Sequence, residues 1–248
     1  MNRARLSRYG LLAVTGADAR AFLHAQLTND VQQLPADRAA LAGWCSAKGR
    51  LLASFLVIPA GDGFLLQLAR DLAAPVAKRL SMFVLRSKVK IADVSDAWAQ
   101  FGVWDADFQQ PELAWEGDRA RIRIGERRYL ELIAGQESSA SVNADESQWT
   151  LQEIRAGRPL ITAATQDQFV PQMVNLENLG AVDFKKGCYP GQEIVARAQY
   201  RGQVKRRMVH AKAPAGATLA PGQDFNGGTV VDVAPTEDGM ELLAVMPQ

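Results

Sequence analysis

A cysteine set between two glycines, with lysines before it and a glutamate and an arginine after it, is the part of this chain best equipped for chemistry. The run is Lys185-Lys186-Gly187-Cys188-Tyr189-Pro190-Gly191-Gln192-Glu193, with Arg197 one turn further on. A structural cysteine behaves as a small hydrophobe and sits among apolar residues; here the neighbours are charged or backbone-permissive. Adjacent cations favour the thiolate, which is the reactive form. Gly187 and Gly191 open backbone angles closed to other residues, and Pro190 holds Tyr189 extended. The thiol is therefore expected at a defined bend, with Cys188 as the reactive residue and Lys185, Lys186 and Arg197 as its electrostatic setting. Three roles are open to it: nucleophile, ligand to a metal or cluster held in passing, and redox handle. Cys45, in an apolar strand beside Trp44, reads as core.

The rest of the chain narrows that chemistry. A thiol–imidazole dyad needs a histidine oriented on the sulfur, and only His24 and His210 are present. His24 falls beside the apolar stripe of the first helix and His210 in a strand near the end; both read as structural or solvated. Two histidines and two separated cysteines give no zinc spacing, so no metal site is expected. No GxGxxG follows a strand and no GxxxxGK[ST] loop occurs, which leaves dinucleotide and P-loop chemistry without support.

Positioning the loop falls to a mixed set of strands and helices. A strand over 11–14 precedes a helix with Ala19, Phe22, Leu23 and Leu27 on one face. Strands over 41–45 and 51–58 are joined by a turn containing Gly49, and a third follows over 64–68. Asp71 is placed to cap a helix whose buried stripe is Leu72, Val76, Leu80 and Phe83. Strands over 89–94, 99–104, 120–124 and 129–133 come next, then a polar loop over 135–146. Ser147 is expected to cap a helix that Gly157 ends, with Pro159 beyond. The long aperiodic stretch over 158–187 reads as functional. A short helix over 191–198 spaces Glu193 and Arg197 to pair across one turn. Strands over 204–211, 229–233 and 242–245 close the chain. The expected division is a first α+β lobe over 1–94, a second over 95–202 carrying Cys188, and an abbreviated β-barrel over 203–248.

With 248 residues, 48% of them hydrophobic, the chain is ample for a packed core. A formal net charge of +1 supplies no bulk basic field, so direct nucleic-acid binding is not expected. Two cysteines make no disulfide framework, which suits a reducing compartment. No apolar run reaches the ~20 residues of a membrane span, and Ser7, Arg8 and Tyr9 interrupt any N-terminal signal segment. A cytoplasmic location, off the membrane, is expected.

The cysteine run resembles the signature of the YgfZ folate-binding proteins, relatives of the aminomethyltransferase (T-protein) of the glycine cleavage system. The resemblance continues in Gln168-Phe169-Val170-Pro171-Gln172, Asn175-Leu176, and Val195-Ala196-Arg197-Ala198 with Arg201-Gly202 and Lys205-Arg206. Toward the N-terminus it includes Thr15-Gly16-Ala17-Asp18, Thr28-Asn29-Asp30-Val31, Ala47-Lys48-Gly49 and Ser87-Lys88-Val89. It implies an α+β, T-protein-like folate-binding fold with antiparallel sheets, packed helices and a small C-terminal β-barrel. It implies tetrahydrofolate as cofactor, and support of iron–sulfur cluster assembly or repair, with an effect on tRNA modification such as methylthiolation. The implied partners are iron–sulfur enzymes or assembly proteins, met transiently by a monomer. The family's two folate-contacting aromatic positions fall on Tyr9 and Trp149, where the flat rings of a folate would stack.

Two departures qualify the resemblance. The T-protein holds the pterin with a carboxylate in an Arg-x-Glu-Ala-Gly pattern, whereas this chain reads Glu153-Ile154-Arg155-Ala156-Gly157. A guanidinium cannot accept a hydrogen bond, so Glu153 or a backbone carbonyl would have to substitute. The T-protein's acidic pair after a Gly-Gly turn corresponds to Leu51-Leu52-Ala53-Ser54, without a carboxylate. Conventional aminomethyl transfer is therefore not expected, and enzymatic activity of another kind is left open. The alternatives carried forward are a folate-dependent one-carbon transferase and a non-catalytic docking module for iron–sulfur clients.

Overall fold

Short runs rich in β-branched and apolar residues give this chain more strand than helix. The computed structural model describes residues 1–108, 111–135, 142–202 and 204–248. In chain order the elements begin with β1 (Asn2–Arg5), β2 (Tyr9–Thr15), α1 (Ala19–Gln26), β3 (Ala40–Cys45), β4 (Leu51–Ala60) and β5 (Gly63–Ala69). Then come α2 (Ala73–Ser81), β6 (Lys90–Asp93), β7 (Trp98–Trp104), β8 (Leu113–Glu116), β9 (Arg119–Gly125) and β10 (Arg128–Ala134). The last are α3 (Glu146–Arg155), α4 (Gln192–Tyr200), β11 (Arg206–Pro214), β12 (Asp224–Phe225), β13 (Gly228–Thr236) and β14 (Gly239–Pro247). They pack as two units that interleave along the sequence, one of residues 1–22, 33–40 and 56–149, the other of 23–32, 41–55 and 150–248.

The first unit holds the antiparallel order β1-β7-β10-β9-β8 and, from Leu56 onward, β4 paired with β5, β2 and β6. Buried amides link its layers: Gln67 on β5 donates to Gln100 on β7 at 2.9 Å, and Gln100 donates to the Tyr9 carbonyl at 3.1 Å. β1 is absent from the sequence reading because Asn-Arg-Ala-Arg looks polar. Its Arg3 is buried nonetheless, lying 3.6 Å over the Phe101 ring and paired with buried Glu131 at 3.1 Å. Ion pairing and a ring face offset the cost of desolvating that guanidinium. β8 is likewise an addition to the expected strands.

Other expectations need correction. Asp71 lies in a 3-10 turn, Arg70–Leu72, and α2 begins after it without a side-chain cap. Leu72, Val76 and Leu80 are buried as the stripe requires, but Phe83 lies past the helix end and is 44% exposed. Helix α3 starts at Glu146, so Ser147 sits inside its first turn; Gly157 does follow its end, at φ +64°. Of the polar loop over 135–146, residues 136–141 lie outside the described residues.

The second unit contains the β3–β4 hairpin, a 3-10 turn at Pro171–Val174, α4 and the tail sheet β11-β14-β13-β12. Val230, Leu242, Ala244 and Ala213 form the core of that sheet. The expected barrel is thus a four-stranded antiparallel half-barrel, and the α+β class with antiparallel sheets holds.

Candidate functional site

Segments far apart in sequence meet around Cys188. Asp183 starts the loop: its carboxylate accepts from the backbone nitrogens of Lys185, at 2.7 Å, and Lys186, at 3.2 Å. Its own nitrogen donates to the Thr28 carbonyl at 2.9 Å. Thr28, fully buried, donates its hydroxyl to the Ala181 carbonyl at 2.6 Å and accepts from Gly43 on β3 at 2.7 Å. Asn29 bridges the carbonyls of Gly180 and Leu41. These bonds explain Thr28-Asn29 in chemical terms: short polar side chains satisfy backbone groups that no strand can reach. Beyond the thiol, Gly191 has φ +78° and precedes α4. A β-carbon there would stand 2.4 Å from the Ser46 carbonyl oxygen, so the Ser46–Gly49 turn and the cysteine loop can touch only through glycine.

Within this frame Cys188 is exposed and unpaired with Cys45, which is buried in β3. The three predicted cations differ in burial. Lys186 is only 8% exposed; its Nζ donates to the carbonyls of His24 and, at 2.7 Å, Leu27, at the end of α1, and lies 4.8 Å over the Tyr189 ring. A cation on the last carbonyls of a helix offsets the helix dipole. Burial nevertheless lowers the Lys186 pKa to about 8, against the opposing pull of Asp30, Asp183 and Cys188. Lys185 and Arg197 are exposed, and among the described residues Glu193 and Arg197 do not form the expected pair. Burial raises the pKa of Tyr189, whose ring is packed beside Lys186.

Sequence reasoning sets His24 aside as structural or solvated and does not pair it with Asp30. His24 Nδ1 lies 3.0 Å from Asp30 Oδ1, and a β-carbon on Gly187 would meet only His24 Nε2, at 3.8 Å. The signal is present in Thr28-Asn29-Asp30, which the sequence alone shows only as a helix end and a family match.

The two aromatic positions lie in the first unit. Arg8, next to Tyr9, donates its backbone nitrogen to Glu146 at 2.9 Å, which ties the start of β2 to the first turn of α3 and so to Trp149. Tyr9 is 8% exposed and Trp149 1%. Trp149 packs under Gly102, where a β-carbon would come within 2.2 Å of the indole, and against Trp104 with ring centroids 6.0 Å apart. As they stand, the residues at 9 and 149 offer a flat ligand no open face. In the second unit Arg155 is turned to Glu241 on β14, with hydrogen bonds of 2.7 and 3.1 Å, and His210 approaches the same carboxylate at 2.8 Å. Glu153 is buried, 3.4 Å from Arg158. Ser54, in the stretch that lacks a carboxylate, accepts from the Ile161 nitrogen at 3.1 Å. Among the described residues no group of three or more His, Cys, Asp or Glu side chains could hold a metal ion, and no helix is long and apolar enough to cross a membrane.

No family model matches the chain. Among solved structures, the glycine cleavage aminomethyltransferase T of Bartonella henselae superposes with a TM-score of 0.72 at 14% identity, covering 99% of this chain and 78% of that one. That likeness establishes a T-protein fold. Curated relatives include the tRNA-modifying protein YgfZ of Escherichia coli O45:K1 and that of Escherichia coli O157:H7, each 32% identical over 97% of this chain and 83% of theirs. At that identity and coverage, the chain belongs to the YgfZ family.

Proposed function

We propose that this protein acts in tRNA modification, as its YgfZ relatives are named for, by supporting iron–sulfur cluster assembly or repair through the thiol of Cys188. The supporting observation is the setting of that thiol. It is exposed, yet its loop is anchored on both sides, by Asp183 with Thr28 and by Gly191 against the Ser46–Gly49 turn. Such rigidity serves a group that must meet a partner in one geometry, and a merely tolerated cysteine would not require it. In this reading the protein works in the cytoplasm as a monomer, contacts iron–sulfur proteins transiently and does not itself grip RNA. Tetrahydrofolate is its proposed ligand, at Tyr9 and Trp149. Because those rings are covered, binding there requires the layer over Trp149 to move, and no step is assigned to the folate.

The test is complementation. In cells deprived of their own YgfZ-type protein, Cys188→Ser should fold yet fail to restore methylthiolated nucleosides in tRNA, measured by mass spectrometry. Full restoration would remove the thiol from the function. Separately, tetrahydrofolate should quench tryptophan fluorescence saturably; a titration without any change would remove the ligand.

A further inference from the structure

The loop that joins α2 to β6 exposes what a chain normally buries. Past the last turn of α2, Met82 is 70% exposed, Phe83 44% and Leu85 89%. Leu85 also has a left-handed backbone, φ +47°, which glycine or asparagine enters at lower cost. Neither packing nor backbone preference accounts for a leucine there, and an outlier of this kind points to a role outside the fold. The tip is nonetheless firmly held. Successive turns bond the nitrogens of Phe83, Val84 and Ser87 to the carbonyls of Leu80, Ser81 and Val84. At the far end the Lys88 nitrogen donates to the Asp18 carboxylate at 2.7 Å. A β-carbon on Gly16 would stand 2.1 Å from the Lys88 carbonyl oxygen, so the chain passes this point only beside a glycine.

Lys78, Arg79, Arg86, Lys88 and Lys90 flank the tip and are exposed, and no Asp or Glu lies between Asp71 and Asp93 in sequence. A chain of net charge +1 thus gathers five cations beside its most exposed apolar residues. That combination narrows the occupant. A stable protein interface takes about 20–30 residues a side and is depleted in Lys, whereas this tip is smaller and three of its cations are lysines. Nucleic acid would engage the cations through its phosphates but would leave Met82 and Leu85 in water. An anionic bilayer suits both features and needs no matching shape: apolar side chains enter the boundary between headgroups and acyl chains, and cations meet the lipid phosphates. We infer that the α2–β6 loop is a peripheral contact for an anionic phospholipid surface, with Met82, Phe83 and Leu85 as the inserted residues. A search for a long apolar span passes over such a site, because three side chains carry it. The contact lies on the membrane and does not cross it, and it is independent of the reading of Cys188.

The test is co-sedimentation of the whole protein with sucrose-loaded vesicles. Vesicles of phosphatidylglycerol and phosphatidylcholine in equal parts should carry the protein down, and phosphatidylcholine alone should not. Raising the salt to about 0.5 M should release most of it. Met82→Ser with Leu85→Ser should weaken binding about tenfold or more, as should Arg86→Glu with Lys88→Glu. All four side chains are exposed, so the thermal unfolding of both variants should match the wild type; should the serine pair fail to fold, the charge reversal decides alone. Lys205→Glu, at an exposed cation of the second unit, should leave binding unchanged. Absence of binding to the mixed vesicles would overturn the inference. So would folded loop variants that bind as the wild type does, or an equal loss from Lys205→Glu, which would mark a general attraction of charges. Self-association abolished by Met82→Ser with Leu85→Ser, seen by light scattering without vesicle binding, would overturn it too and make a second copy the occupant.

Discussion

Cys45 and Cys188 are one chemical group in opposite settings. Burial in β3 pushes the Cys45 thiol up to about 12, which leaves it protonated and out of reach, while Cys188 stands in solvent. Iodoacetamide should therefore modify the native protein at Cys188 and reach Cys45 only after denaturant is added; equal labelling of both in the native state, read by peptide mass, would contradict the packing of β3. Trp149 shows the opposite relation between identity and setting. Its ring is closed in by Gly102 and Trp104, so Trp149→Ala removes a core anchor and should cost roughly 3–5 kcal/mol in a urea titration. A loss below about 1 kcal/mol would show the ring to be less enclosed than this. For the same reason the proposed folate contact is better probed with Trp149→Phe, which keeps most of the volume.

At the scale of elements, what is legible in the sequence is what local pattern determines. The apolar face of α1, the β3–β4 hairpin around Gly49, and the strands β5, β7, β9 and β10 follow from periodicity and turn residues. β1 escapes because its arginine is buried through Glu131 and Phe101, partners about a hundred residues away that no window contains. The site divides in the same way. The cysteine run is conspicuous by composition, but Lys186 reads there only as a cation beside the thiol, and its hold on the carbonyls of His24 and Leu27 becomes visible only once α1 is in place. Arg197, on α4, is exposed like the thiol itself. Gly191 is where the loop's geometry can be tested most directly. Its left-handed backbone and its contact with Ser46 each disfavour a side chain. Gly191→Ala should lose about 1–3 kcal/mol of stability, from backbone strain and overpacking together. It should also change the alkylation rate of Cys188 where Gly180→Ala, at a left-handed position with open space around it, leaves that rate alone. Equal rates in both variants would mean that the turn does not set the thiol's position.

Across the whole molecule the formal charge is nearly balanced, so stability against pH turns on particular pairs rather than on bulk repulsion. Glu241 is the strongest of these. The half-exposed Arg155 at the end of α3 and His210 on β11 hold its pKa at about 2 against an ordinary 4.5. The folded protein therefore takes up this proton less readily than the unfolded chain. The stabilisation is complete above about pH 4.5 and is lost as pH falls through about 2. The same contact gives Arg155, at the position where the resemblance leads one to expect a carboxylate, a partner on the tail sheet. Glu241→Gln should lower stability at neutral pH by about 1–3 kcal/mol and flatten the acid limb of the stability curve between those two pH values. Glu237→Gln, at an exposed position on the neighbouring turn, should do neither. Parallel stability–pH curves for Glu241→Gln and the wild-type protein would show that this pair does not anchor the C-terminal sheet.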